Sequence, residues 1–472
     1  RVPLAFLSAA LDSLAAQTYP HWEVCLACAD PDDGEIPRLI ARRQEADARI
    51  RLVRLDENEG ISAATNAALA EARGEFIALL DHDDLLAPEA LHRMIEAIED
   101  RPDADLLYSD KDCIDEAGKI RQRPLFKPEW SPEMLFSANY LTHFNLLRRS
   151  LVVDLGGFRP HTDGAQDWDI FLRVAERARS VVRVPGILYH WRLHAASTSL
   201  GGVAAKPYVS NAQQVALQES LDRRHLPAEV VPSAESGFEV RSRIPVEAPV
   251  HVIVDGTTQA PAELGPLVRE VVAALAGLPV DRLPGAAPEA GERRVTLLSH
   301  PDRRDGVIAA VAAEGGPAAG VELVIVDSRA EEVTLDMKAA VRGCPAAGGA
   351  IVFVSGRVAV LRPGWLAALV GWVTVHPEIG FASGLVVGAD GNVVECGLVV
   401  DAKGEGTPLF RGIPPTQWGS FGGPMWYRNT SAANPWALAV KADAWDAVRG
   451  LNPRLPSASA FIALCKSLRR AG

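Results

Sequence analysis

Apolar and polar positions alternate along the first hundred residues with two periods in turn. Leu7 to Ala16 repeats at helical spacing, and Trp22 to Ala29 is a continuous apolar run that reads as a buried strand ending at Asp30. Asp32-Asp33-Gly34 marks a turn, Ile36 to Gln44 a helix and Ile50 to Leu55 a short strand. Ser62 to Ala72 predicts an Ala-rich helix with Gly74 as its stop, followed by an apolar strand at Phe76 to Leu80 and a helix at Pro88 to Ile98. This rhythm predicts an α/β fold whose central sheet is mostly parallel and covered by helices on both faces. In such sheets ligands bind at the carboxyl ends of the strands, where Asp30 and Asp81 to Asp84 fall.

Further along, strand-like pieces at Asp105 to Tyr108 and Ile187 to His190 flank loops and a helix around Asp167 to Arg177. The polar, Pro-containing stretch 226–249 reads as a linker between residues 1–225 and 250–472. A second series follows, with strands at His251 to Asp255, Val295 to Leu298, Val321 to Val326 and Ala350 to Val354, interrupted by a Gly/Pro/Ala-rich connector over 277–292. It echoes the first half. "FIALLDHDDLLAPEAL" (Phe76 to Leu91) aligns ungapped with "IVFVSGRVAVLRPGWL" (Ile351 to Leu366), and "DLGGFRP" resembles "VRGLNP". The shared positions are architectural, whereas the acidic residues of the first copy have no counterpart in the second.

Composition narrows the classes. A chain of 472 residues with 48% hydrophobic and 23% charged residues has material for more than one core. A formal net charge of −12 argues against a surface that coats nucleic acid. The six cysteines are scattered, as expected of reduced thiols, and the Cys25/Cys28 pair sits in an apolar strand, which favours buried structural thiols over a redox or zinc site. The apolar run Trp365 to Val375 is too short to span a bilayer. The expected location is cytoplasmic, with peripheral attachment to the inner face of a membrane as an option.

Four clusters carry candidate chemistry. Asp81-His82-Asp83-Asp84 places three carboxylates after an apolar strand, where their mutual repulsion calls for a hard divalent cation that would bridge a diphosphate. "NEGISAATNAAL" (Asn58 to Leu69) puts a glycine turn before a helix N-terminus, with Ser62 as N-cap and a phosphate-friendly dipole. "GAQDWDIFLR" (Gly164 to Arg173) sets Asp167 and Asp169 beside Trp168 at a helix start, and a carboxylate there suits proton abstraction from a sugar hydroxyl if burial raises its basicity. "YHWRLHAASTS" (Tyr189 to Ser199) offers Arg192 to phosphate and His190 to a metal, a buried hydrogen-bonded histidine being an equal reading.

Residues 1 to about 225 resemble the family 2 glycosyltransferases, inverting enzymes of the GT-A fold. The landmarks run in order: "QTYPHWEV", "NEGISAATN", "LLDHDDLLAPEAL", "GGFR…GAQDWD" and "YHWR", with "LLYSDKD" and "FKPEWSPEML" between them. The resemblance implies Asp30, Asn58, Gly60 and Asn66 along the nucleotide cleft, and Asp81 and Asp83 on the donor ribose and on the Mn²⁺ or Mg²⁺ of its diphosphate. It implies Asp167 as general base, His190 as a further metal ligand and Arg192 as a phosphate contact. Asp110, Trp130, Trp168 and Asp169 would shape the acceptor side. The partners would be a nucleotide-sugar donor and a glycan or lipid-linked glycan acceptor. The family's first strand is not matched and the chain stops at "LRRAG", where the resemblance implies continuation, so the chain is expected to be clipped at both ends; Asp30-Pro31-Asp32-Asp33 stands in place of the family's Asp-Asp-x-Ser. Gly356, Arg357 and Val358 stand at the second copy's DxD position, and residues 250–472 are expected to be a degenerate, silent GT-A-like domain. The competing readings are a non-catalytic glycan-binding scaffold and a DxD phosphatase of the haloacid-dehalogenase type, which would need Thr or Val where Asp84 stands.

Overall fold

The computed structural model describes residues 3–28, 34–194, 207–233, 237–281, 291–342, 348–359 and 361–471. The chain forms two compact units. The first comprises residues 1–224, 232–239 and 418–429, and the second comprises 225–231, 240–417 and 430–472. The stretch read as a linker carries strands of its own, Ala228–Ser233 and Gly237–Ser242.

In the first unit, β1 (Val24–Cys28) and β2 (Ile50–Arg54) pair in parallel and alternate with α1 (Leu4–Ala15), α2 (Glu35–Ala46) and α3 (Ile61–Glu71). A six-stranded sheet holds β3 (Phe76–Ala78), β4 (Leu85–Leu86), β5 (Leu106–Ile114), β6 (Arg121–Leu125), β7 (Asn145–Arg148) and β8 (Val181–Arg192) in the order β3-β7-β5-β8-β4, with β6 on β5. The α/β class holds, but strand direction here differs from the expected mostly parallel sheet. Only β5 and β8 run parallel, while β3, β4, β6 and β7 join antiparallel. The parallel β1–β2 ladder is a sheet by itself, and β6 and β7, which follow β5 in the chain, both run back along it antiparallel.

Burial follows the apolar pattern. Leu7, Leu11 and Leu14 of α1, Ile40 of α2 and Met94 of α4 (Ala90–Asp100) pack with Leu107, Leu146, Leu188 and Tyr189 from the sheet. Every residue of β5 is buried, including Asp110, Lys111 and Asp112. Charges enter such a strand only when paired.

The second unit is nearer the expected pattern. Its sheet runs Glu322–Asp327, Arg293–Ser299, Val250–Asp255 and Ala350–Ser355 in parallel, then Ala437–Lys441 and Phe381–Ser383 antiparallel. Alternation along the central strands sends Val250, Val252 and Val254 into one core and Ile253, Ile351 and Phe353 into another, so both faces are covered.

Asp105, at the entry to β5, ties the first unit together. Its carboxylate accepts from the Arg179 main-chain N–H at 2.9 Å, from the Arg179 guanidinium at 2.7 and 3.0 Å, and from Arg148 Nε at 2.6 Å. These donors, Arg179 first, hold its carboxyl well below the ordinary carboxylate range. A depressed folded-state pKa contributes stability above the unfolded value, about 4. That contribution is lost as pH falls. Asp105→Ala should destabilise the first unit by about 2–3 kcal/mol at pH 7, and urea unfolding at pH 7 and pH 3 should show the gap between wild type and variant closing in acid.

Candidate active site

The acidic motif becomes a turn. β3 ends at Ala78, the Asp84 N–H donates to the Asp81 carbonyl at 3.2 Å, and β4 begins at Leu85. The turn aims its carboxylates in different directions. Asp84 points inward and is fully buried, accepting the Tyr189 hydroxyl at 2.6 Å and the Arg192 main-chain N–H at 2.7 Å. Burial nevertheless pushes its carboxyl up to about 8, with Asp81 and Asp83 adding repulsion. Asp83 lies 2.7 Å from His194 Nε2. Asp81 faces outward with its side chain about half exposed, 3.7 Å from His143 Nε2. Desolvation, then the neighbouring Asp83 and Asp167, push it up to about 6.

Asp167 opens α6 (Gln166–Ala175; α5 is Arg149–Asp154). One carboxylate oxygen accepts the Trp168 N–H at 2.8 Å and the other accepts the Asn139 amide at 3.0 Å. Burial raises its pKa in spite of these donors, which is the condition for a base at a helix N-terminus. Lys111, buried in β5, faces the same space. Its ammonium donates to Thr142 Oγ1 at 3.3 Å and sits 4.1 Å over the Trp191 ring. Burial pushes it down to about 8, opposed by the charges of Asp84, Asp167 and Asp81 among others.

Among the described residues, one group of His, Cys, Asp and Glu side chains could hold a metal ion: Asp81, Asp84 and His143, with ligand atoms within 4.8 Å of one another. Two carboxylates of raised pKa and an imidazole that burial keeps neutral fit a divalent cation. The predicted set was Asp81, Asp83 and His190. Here His190 Nδ1 lies 2.6 Å from Asp112, its register partner between β8 and β5, and Asp83 is engaged by His194. His143, Asn139 and Lys111 were missed, because no local motif marks them.

Several other expectations are corrected. Arg192 is buried; its Nε donates to the Asp83 carbonyl at 2.6 Å and a terminal nitrogen to the Glu116 carbonyl at 2.8 Å, so it braces the acidic turn instead of offering itself to phosphate. Asn66 exchanges two hydrogen bonds with the Phe158 main chain, at 2.7 and 2.8 Å, which removes it from the cleft. Ser62 does not cap α3. Asp163 accepts the Ser62 N–H at 3.1 Å and fills the helix N-terminus with its own carboxylate. Gly60, at φ +103°, is required there, since a Cβ would collide with that carboxylate. Asn58 is exposed and accepts the Gly60 N–H at 3.2 Å.

On the acceptor side, Asp169 is fully buried between Arg159 and Arg173, and Asp110 is buried against Arg183 and the Lys127 and Gly186 main chains. Trp168 is buried with its indole N–H on the Leu135 carbonyl at 2.9 Å. All three have partners within the fold. Trp130 stays partly exposed, and Asp30 lies outside the described residues.

Residues 4–156 match the family model "Glycosyl transferase family 2". The match covers that segment, about a third of the chain. It is 31% identical to "Uncharacterized protein y4gI" of Sinorhizobium fredii over 99% of this chain and 50% of that protein. It is 34% identical to "O-antigen biosynthesis protein RfbC" of Myxococcus xanthus over 53% of this chain and 20% of that protein. The chain thus spans half of the first relative and a fifth of the second. The crystal structure of S. aureus TarS 1-349 in complex with UDP is similar at 20% identity and TM-score 0.34, covering 47% of this chain and 68% of that one. The whole acidic turn lies within the matched segment, while Asp167, His190 and Arg192 follow it in sequence. No described helix is long and apolar enough to cross a membrane.

The two orientations of the turn separate by mutation. Asp84→Ala strands the Tyr189 hydroxyl and the Arg192 N–H in a dry interior and should cost about 2–4 kcal/mol. Asp83→Ala, nearer the surface, should cost under about 1 kcal/mol. Chemical denaturation of the two variants checks the difference.

Proposed function

We propose that the first unit transfers a sugar from a nucleotide-diphosphate donor to a hydroxyl of a polysaccharide or of its lipid-linked precursor, with inversion at the anomeric carbon. The observation that carries the reading is Asp167: a carboxylate of raised basicity, held by two donors, beside the acidic turn of a family 2 domain. Relatives named for O-antigen biosynthesis and as chondroitin synthase support a polysaccharide product.

Asp167 takes the proton of the acceptor hydroxyl as its oxygen bonds to the anomeric carbon. The bond from that carbon to the phosphate oxygen breaks, and its electron pair leaves on the nucleoside diphosphate. Asn139 and the Trp168 N–H fix the direction in which Asp167 presents its free lone pairs. A Mn²⁺ or Mg²⁺ ion would be held by Asp81 with His143 and the neighbouring acids, and it would neutralise the departing diphosphate. Lys111 adds a fixed positive charge to the same space. Arg192, by gripping the Asp83 carbonyl, keeps the turn in position.

The second unit is proposed to be non-catalytic. After its strand Ala350–Ser355 the chain turns through Gly356, whose N–H donates to the Asp255 carbonyl at 2.7 Å, into Arg357 and Val358, and no described group there could gather a metal.

Asp167→Asn should lower transfer by roughly a hundredfold or more while nucleotide binding survives. In the wild type kcat should fall as pH drops through the raised pKa of Asp167, because the protonated carboxyl accepts no proton. A variant that keeps wild-type turnover, measured by nucleotide release with a nucleotide-sugar panel and Mn²⁺, would remove Asp167 from the role of base.

A further inference from the structure

Twelve residues from far along the chain belong to the first unit. Trp418–Asn429 leaves the second unit's sequence, lies on the segment between β6 and β7, and returns. The attachment is specific. The Phe126 N–H donates to the Ser420 carbonyl at 2.7 Å, the Tyr427 N–H to the Ser137 hydroxyl at 2.9 Å, and the Asn429 N–H to the Ser131 hydroxyl at 3.1 Å. Ser131 and Ser137 are buried, so these bonds are shielded from water.

The segment is shaped to display rings. Gly419 and Gly422 exchange main-chain hydrogen bonds at 3.0 and 3.1 Å, closing a tight loop between Trp418 and Trp426. Gly422 has φ +82°, and a Cβ there would strike the Trp426 ring. Trp426 is buried and supports Trp418 edge-on at 4.7 Å. Trp418 is nevertheless 68% exposed, and Phe421 is 63% exposed while lying 5.8 Å from the ring of Phe126. Rings that are both exposed and braced from beneath mark a binding surface rather than a loose surface residue.

We propose that Trp418, Phe421 and Phe126 form a stacking platform for the acceptor glycan of the transferase site. This rests on the proposed function above. Aromatic faces suit the C–H faces of pyranose rings, and carry no charge that would select against a neutral sugar. The platform is joined to the site along one stretch of chain. The segment that receives it through Ser131 and Ser137 runs on to Asn139, which donates to Asp167, and its Leu135 carbonyl holds Trp168. Its three rings are far smaller than the roughly 800 Å² per partner that a stable protein interface needs, which favours a few sugar residues over a protein.

The test is a polysaccharide and oligosaccharide array probed with the full chain, Trp418→Ala, Phe421→Ala and the double variant. Sedimentation and nucleotide-sugar hydrolysis are measured on the same samples. Wild type should retain at least one glycan class. The double variant should lose tenfold or more of that binding with an unchanged melting temperature, since both side chains face solvent, and Trp418→Phe should restore part of it. Glycan retention equal to wild type in the double variant overturns the platform, as does failure of the wild type to retain any saccharide. Self-association that disappears with Trp418→Ala overturns it in favour of a protein contact. Sugar-nucleotide hydrolysis keeps the two readings apart: if wild type hydrolyses no donor while Trp418-dependent glycan capture persists, the transferase reading fails and the platform stands.

Discussion

Negative charge held together against its own repulsion is the constraint around which the first unit is arranged. Asp81, Asp83, Asp84 and Asp167 act on one another's charge from one turn and one helix start, and the buried ammonium of Lys111 shares their space. Burial keeps Asp81, Asp84 and Asp167 above their ordinary range, so the cluster is under-neutralised as it stands. A fold tolerates such a deficit only where something else supplies positive charge at work. The surrounding structure reads as scaffolding for that deficit. Tyr189 and Arg192 hold the inner carboxylate, Arg192 also grips the turn from its carbonyl side, and α6 presents Asp167 across from it.

Much of this was legible in the sequence, for a physical reason in each case. The acidic turn after an apolar strand, the Asp167 helix start and the alternation of elements all depend on residues close together in the chain. What was not legible depends on pairing across it. Nothing local tells that Asp169 will meet Arg159 as well as Arg173, that Asn66 will be consumed by Phe158, or that Asp163 will cap α3 from a hundred residues away. His190 illustrates the same limit, since its partner Asp112 is fixed only by the register of β5 against β8. Strand direction in the first unit was hidden likewise, because helical and strand periods do not say which strands become neighbours.

The placement of Trp418–Asn429 extends the point to the organisation of the chain. Two units defined by contact are not two halves of the sequence, and a glycine-rich aromatic segment written late in the chain is part of the unit that holds the carboxylates. After its strand Ala350–Ser355 the second unit turns through Gly356, Arg357 and Val358, without the acids of the first unit's turn.

The central claim is that the acidic turn is a cation site in the service of a diphosphate. Mn²⁺ binding followed by electron paramagnetic resonance tests it most directly, with wild type, Asp81→Asn and an Asp255→Asn control in the second unit. The account predicts one saturable site per chain that tightens when nucleoside diphosphate is added, disappears with Asp81→Asn and persists with Asp255→Asn. Saturable binding that survives Asp81→Asn, or no saturable binding with or without the nucleotide, would contradict it.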